Sequence, residues 1–307
     1  MPTESAVWSD YYTKFNGYFS PGAVRKGCEP RTILHRTPAD DAIVLVHGLT
    51  DSPYFMGAIA RYFFAALGYD VYMPLLHCHG LLEPNNMRGV SADEWKSNVA
   101  HAVETAAGRS KRVSIGGLST GGTLSFYTAV TDTRVSGALY LFSAALDVTF
   151  DKVDTLKTWL LQTPPLLRAL LESKTPLVGR NPFRYDRMDF DGAAELVKLI
   201  DETDALVARA KTRPFAMPVF AAHSKADTTA DIEGIERLQT VCVPECFEAF
   251  FIPSDMAVSH ASLVLEQPVH AADDDELLEP ANPVFGDMMK RVGDFARRHA
   301  ERHRLTA

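Results

Sequence analysis

The stretch SIGGLSTGGTL, residues 114–124, sets one serine among four glycines. Glycine loses more backbone freedom on folding than any other residue, so a cluster of it marks a place where the chain needs room or an unusual conformation. An apolar, β-rich run, RVSIGG (112–117), leads into the stretch, and a helix-like run, TLSFYTAVTD (123–132), leads out of it. A flexible linker accounts for glycine and serine but not for those flanks. Gly117-Leu118-Ser119-Thr120-Gly121 fits G-x-S-x-G, the pattern of a sharp strand-to-helix turn that lifts a serine hydroxyl clear of a sheet. Small residues two places before and two places after the serine remove the clashes such a strained turn would create. The following helix then directs the positive end of its dipole at the serine.

Working outward, five more apolar runs stand out: AIVLVHG (42–48), DVYMPLL (70–76), SGALYLFSA (136–144), MPVFAAHS (217–224) and CFEAFFIP (246–253). Most are continuously apolar rather than alternating, as in strands buried on both faces of a parallel sheet. Helix-like segments lie between them, at 53–68 and 91–108, and a basic amphipathic one closes the chain at 283–303. The alternation predicts an α/β fold with a mostly parallel, doubly wound sheet. Ser91 and Glu94 make a capping box, and Gly68 and Gly108 stand where C-cap glycines belong.

From 148 to 212 no strand is legible. Two stretches of helical periodicity, 153–174 and 191–211, flank TPLVGRNPFRYDRM (175–188). The expected organisation is a core of residues 1–147 and 213–307 with a helical cap inserted at 148–212. Trp159 and the leucines between 160 and 171 make that cap apolar. ADDDELLEPANP (272–283) reads as a solvated acidic loop.

With 307 residues, 46% hydrophobic and 23% charged, the composition is that of a globular protein. A net charge of −8 argues against a nucleic-acid partner, which calls for a basic surface. The opening MPTESAVWSDYYTKF has neither the basic nor the apolar part of a signal peptide, and no apolar run suffices to span a membrane, so the cytoplasm is the expected compartment. Cys28, Cys78, Cys242 and Cys246 lack paired zinc-type spacing and read as reduced thiols. No metal or organic cofactor is expected, and the oligomeric state is not legible.

A serine at its free pKa is a poor nucleophile and needs a base. Of ten histidines, His299 and His303 fall on the terminal helix and read as exposed, His101 fits a helix face, and His35 and His270 have no supporting motif. His223 ends a strand and suits a structural role. His260, in DMAVSHASL, follows the last apolar strand, where the base belongs when the chain order is serine, acid, histidine. The acid should follow the preceding strand. SKADTTAD supplies Asp227 and Asp231 there. Asp227 is the expected acid, since Asp231 suits the N-cap of the next helix. Asp255 lies five residues before His260 and reads as shaping that loop. The oxyanion donors are the backbone N–H of Thr120, directly after the nucleophile, and of Leu49, in VLVHGLTDSP after an early strand. His47 reads as a brace for that loop.

Together VLVHGLTDSP, LLHCHG, DEWKSNV, GGLSTGG, the SKAD loop and VSHASL resemble the α/β-hydrolase superfamily, and within it bacterial carboxylesterases and monoacylglycerol lipases with a small helical cap. RNPFRYDRM (180–188) also resembles the esterase group. The resemblance runs from about residue 40 to the C-terminus. It departs from the family at His77 and Cys78, where relatives often carry Pro-Gly. It implies an α/β-hydrolase fold and hydrolysis of small to medium acyl esters or monoacylglycerols through Ser119, His260 and Asp227. The same machinery also cleaves amides, as in serine aminopeptidases, or carbon–carbon bonds. A non-catalytic ligand-binding protein fits the three residues least.

Overall fold

The computed structural model of the chain describes residues 7–15, 17, 19–146 and 176–306, without the side chains of 86 and 301–306. Seven strands form one sheet: β1 (Arg31–Ile33), β2 (Asp41–Val46), β3 (Asp70–Met73), β4 (Arg112–Leu118), β5 (Val135–Phe142), β6 (Val219–Ser224) and β7 (Phe247–Ile252). Their spatial order is β1-β3-β2-β4-β5-β6-β7. Every neighbouring pair is parallel except β1 with β3. The six apolar runs are the six parallel strands. β1 carries no such signal, because three residues at a sheet edge are too few to show a period.

Continuous apolar runs arise because both sheet faces are covered. In β2, Ala42, Val44 and Val46 enter one core while Ile43 and Leu45 enter the other. The helices are α1 (Ser9–Lys14), α2 (Gly57–Leu67), α3 (Ala92–Ala107), α4 (Thr120–Thr131), α5 (Phe190–Ala210), α6 (Ile232–Val241) and α7 (Phe285–Thr306). Helices α2 and α7 cover one face through Ile59, Phe63, Met288, Val292 and Phe295. Helices α3, α4 and α6 cover the other through Trp95, Val99, Leu124, Ile235 and Leu238, and α5 joins that side with Leu196 and Leu199.

Ser91 caps α3, but its hydroxyl accepts from the Asp93 N–H at 3.2 Å, one residue short of the expected box partner. Gly68 ends α2 in the left-handed conformation at φ 77°, as expected, whereas Gly108 ends α3 at φ −69° and needs no glycine conformation. Helix α5 takes up the second helical stretch of the β5–β6 connection. The first, with Trp159 and the leucines of 160–171, lies outside the described residues.

The acidic stretch 272–283 is exposed over 272–277, as its reading as a solvated surface expects, but it is more than a loop. Two short strands, β8 (Val269–His270) and β9 (Leu277–Glu279), pair antiparallel there. The hairpin reaches across to the 176–188 segment. Arg180 pairs with Asp274 and Glu276, and Arg184 pairs with Glu279 at 2.6 Å. Opposite charges more than 90 residues apart in sequence hold these loops together.

Strand order reverses between β2 and β4: from β2 the chain passes outward to β3, then returns to β4 on the other side. Ligands of open α/β sheets bind at the carboxyl ends of the strands at such a switch point. Here those ends lead into the His47–Asp51 loop and to Ser119.

Candidate active site

Ser119 links β4 to α4 with φ 54° and ψ −121°, a left-handed backbone that side chains avoid. A side chain at Gly121 would run into the carbonyl groups of Val46 and His47, and one at Gly122 would come within 2.5 Å of the Ala144 Cβ. The glycines thus let the first turn of α4 press against the end of β2 and the segment after β5. Two hydrogen bonds complete the turn: Ser119 N–H donates to Phe142 O at 3.1 Å, and Thr123 N–H donates to Ser119 O at 3.1 Å.

Asp227 lies in the loop after β6 with its side chain fully buried. Its Oδ1 accepts the N–H groups of Thr229, at 2.8 Å, and Ala230, at 3.1 Å. Its Oδ2 accepts from His260 Nδ1 at 2.6 Å. Burial pushes this carboxyl upward, but the hydrogen bond and charge of His260 and the two amides outweigh it, and the net shift is below the usual carboxylate range. Nδ1 of His260 is thereby committed, while its Nε2 is buried without a hydrogen-bond partner among the described residues. His260 and Ser119 both line one cavity of about 380 Å³, a size suited to small organic ligands. Asp231 takes the other role: it caps α6, its Oδ1 accepting the Glu233 N–H at 3.0 Å. Asp255 sits exposed in the 3₁₀ turn Ser254–Met256, in the loop that precedes His260.

Leu49 lines the cavity. His47 sets its peptide: the buried imidazole donates from Nδ1 to Gly48 O at 2.9 Å and accepts the Leu76 N–H on Nε2 at 3.1 Å. C=O and N–H of one planar trans peptide point in opposite directions, so a Gly48 carbonyl drawn to His47 turns the Leu49 N–H the other way. Thr120 is the first residue of α4, where a backbone N–H has no acceptor within its own helix.

The family described as serine aminopeptidase, S33, matches residues 37–251. The chain belongs to this family. A thermostable monoacylglycerol lipase of Bacillus sp. (strain H-257) is 31% identical over 125 residues, which is 41% of this chain and 48% of that protein. The match thus spans about half the length of that relative. Among solved structures, a metagenome-derived lipolytic enzyme superposes with TM-score 0.64 at 19% identity, over 90% of this chain and 100% of the other. A soluble variant of the Saccharomyces cerevisiae monoglyceride lipase superposes with TM-score 0.62 at 13% identity, over 88% and 91%. These likenesses establish the α/β-hydrolase fold.

Several residues at the cavity of this S33-family chain carry no catalytic pattern of their own in the sequence, although three of them fall in the RNPFRYDRM stretch that resembles the esterase group. Asp51, in the turn-like TDSP, is 3% exposed and lines the cavity. Arg184, Arg187 and Met188 line it from the 176–188 segment, and Glu279 from the hairpin. His223 is buried on β6, donating from Nε2 to Ala230 O at 3.3 Å and lying 3.8 Å from Asp227 Oδ2. His299 is half-buried with its ring 4.5 Å from Phe295, not exposed as its helix face suggested. All four cysteines are free thiols.

Proposed function

We propose that the protein hydrolyses carboxylic esters, of small to medium acyl chains or monoacylglycerols, with Ser119 as nucleophile, His260 as base and Asp227 as the acid that orients it. The observation that carries this reading is the unpartnered Nε2 of His260, whose ring is held by Asp227, at a cavity that Ser119 also lines. Ser119 Oγ attacks the ester carbonyl carbon while its proton passes to His260 Nε2. The backbone N–H groups of Leu49 and Thr120 receive the tetrahedral oxyanion. As the carbon–oxygen bond breaks, His260 returns the proton to the departing alcohol. Water then attacks the acyl-enzyme with the same histidine as base, releasing the acid and Ser119. Asp227 stays ionised and stabilises the imidazolium.

Residues 148–212 act in this reading as a cap over the core of 1–147 and 213–307, and their Met188 and Leu196 share the cavity with Ser119. We place the protein in the cytoplasm, a compartment that keeps thiols such as these four reduced. Among the described residues no helix is long and apolar enough to cross a membrane.

A p-nitrophenyl ester series from acetate to palmitate, run beside a monoacylglycerol and an aminoacyl anilide, tests the reaction class. Hydrolysis of the esters, with fluorophosphonate labelling lost in Ser119→Ala, is expected. Hydrolysis of the anilide alone would establish the second reading, an aminopeptidase, which the family's description favours.

A further inference from the structure

Asp51 follows Leu49 by two residues, and its carboxylate reaches back to Gly48. A side chain at Gly48 would come within 2.6 Å of Asp51 Oδ2 and 3.2 Å of Ser119 Cβ, so the carboxylate and the serine flank one point. The side chain is nearly fully buried, and Oδ1 makes no hydrogen bond among the described residues. A bare negative charge so near Ser119 opposes a forming oxyanion strongly in a low-dielectric site.

Among the described residues, Arg184 counters that charge most. Arg184 Nε lies 3.3 Å from Asp51 Oδ1. The same guanidinium donates from Nη2 to Thr50 Oγ1 at 3.2 Å and from Nη1 to Glu279 Oε1 at 2.6 Å. It also sits over the Phe55 ring at 5.6 Å. Thr50, which it grips, is itself left-handed at φ 73°, a conformation that holds only where its surroundings enforce it. Tyr185 N–H adds a bond to Thr50 O at 2.8 Å, so the 184–185 pair clasps the loop at three atoms.

We propose that Arg184 is a positioning residue for ester hydrolysis: it holds the Thr50–Asp51 turn and neutralises Asp51, so that the oxyanion forms beside an ion pair rather than a bare carboxylate. The proposal rests on ester hydrolysis by Ser119. The charged groups facing Asp51 are Arg184, His260 and Glu279, with Asp186 and Arg187 further along the cavity wall. Burial raises the Asp51 carboxyl above its usual range, with Glu279 adding to the rise, and the opposing Arg184, His260 and Gly48 N–H only partly offset it, so the net shift is upward.

The test measures kcat, KM and the pH profile on p-nitrophenyl acetate for Arg184→Gln, Arg184→Lys and the double variant Arg184→Gln/Asp51→Asn. Arg184→Gln should lower kcat by about tenfold with KM little changed. It should also move the acid limb of the profile to higher pH, because an uncompensated carboxylate favours the His260 imidazolium. The lysine variant should keep most of the rate. The double variant, which removes both charges, should recover most of kcat and return the acid limb. If kcat of Arg184→Gln stays within about twofold of the parent, or falls with no movement of the limb and no recovery in the double variant, Arg184 only packs the loop and the proposal is overturned. Should Arg184→Gln fail to fold, the lysine and double variants decide: a double variant slower than Arg184→Lys by tenfold or more with an unmoved limb also overturns it. Undiminished hydrolysis by Ser119→Ala would instead break the underlying reaction, a result distinct from any of these.

Discussion

On the serine side of the cavity, position is set by main-chain atoms. The left-handed Ser119, the contact of Gly121 with the Val46 and His47 carbonyls and the carbonyl-to-amide bonds of the turn involve no ionised group. On the histidine side, position is set by charge. Asp227 holds His260, Glu279 and Asp51 hold Arg184, and the acidic hairpin holds Arg180. Close packing of backbone tolerates changes of pH and salt but no added atom. A charged network tolerates changes of volume but not loss of a partner. The two sides should therefore fail under different insults, and substitutions on each can show whether the division is real.

The largest effect is expected on the histidine side. Asp227→Asn keeps the volume and the Thr229 and Ala230 amide bonds, but removes the charge that fixes the His260 tautomer. Ester hydrolysis should fall by about 10⁴-fold in kcat while the urea midpoint barely moves. Active-site titration with a fluorophosphonate, together with kcat, checks this. A loss of stability as large as the loss of rate would mean that Asp227 supports the fold rather than the imidazole.

Gly121→Ala attacks the serine side. The added methyl meets two carbonyl groups fixed in β2 and its loop, neither of which can move without disturbing the sheet. A stability loss of about 3 kcal/mol or more is expected, the upper part of the range for overpacking. Urea unfolding at neutral pH measures it, and the loss should be the same in low and high salt.

The serine side is not wholly free of titratable groups, and acid should expose this. His79 is fully buried beside His47 with ring centroids 5.1 Å apart, and its Nδ1 donates to His77 O at 2.8 Å. Burial lowers the His79 pKa from 6.5 to about 4, and holds that of His47 well below 6.5. A histidine with a lowered folded pKa takes up its proton first in the unfolded chain, so its stabilisation is complete above pH 6.5 and is lost as pH falls toward 4. At 1.36 kcal/mol per pH unit, His79 alone removes about 3 kcal/mol over that window. Urea midpoints measured at intervals from neutral to acid pH should fall, and His79→Gln should flatten the slope. An unchanged slope in that variant would place the acid sensitivity elsewhere.

The sequence shows most clearly what repeats or punctuates locally. Six strands were legible because most of them are buried on both faces and their runs are largely apolar, and Ser119 because glycines bracket it between a strand and a helix. The site residues that meet through space without a local pattern were not legible. Asp51 lies in a stretch of ordinary turn residues, and its charge matters only because Arg184, 133 positions on, reaches it. The acidic hairpin reads as a solvated loop because strands of two and three residues have no period. Its bonds to Arg180 and Arg184 join stretches about 95 residues apart, a separation at which the order of residues says nothing about contact.

Asp231 gives the smallest effect and the cleanest control for the charged side. It lies four residues after Asp227, is also acidic, and also accepts a backbone N–H two residues on, from Glu233 at 3.0 Å. What separates the two is the second oxygen: that of Asp227 meets His260, while Asp231 acts as the N-cap of α6. An N-cap aspartate replaced by alanine destabilises by about 1 kcal/mol, through an unsatisfied helix N–H and a lost charge at the positive end of the dipole. Asp231→Ala should therefore shift the urea midpoint by that amount and leave kcat for p-nitrophenyl acetate unchanged. Asp227→Asn should do the reverse. If Asp231→Ala lowers kcat as Asp227→Asn does, the loop after β6 acts as one unit in holding His260, and the role assigned to a single carboxylate must be divided between two.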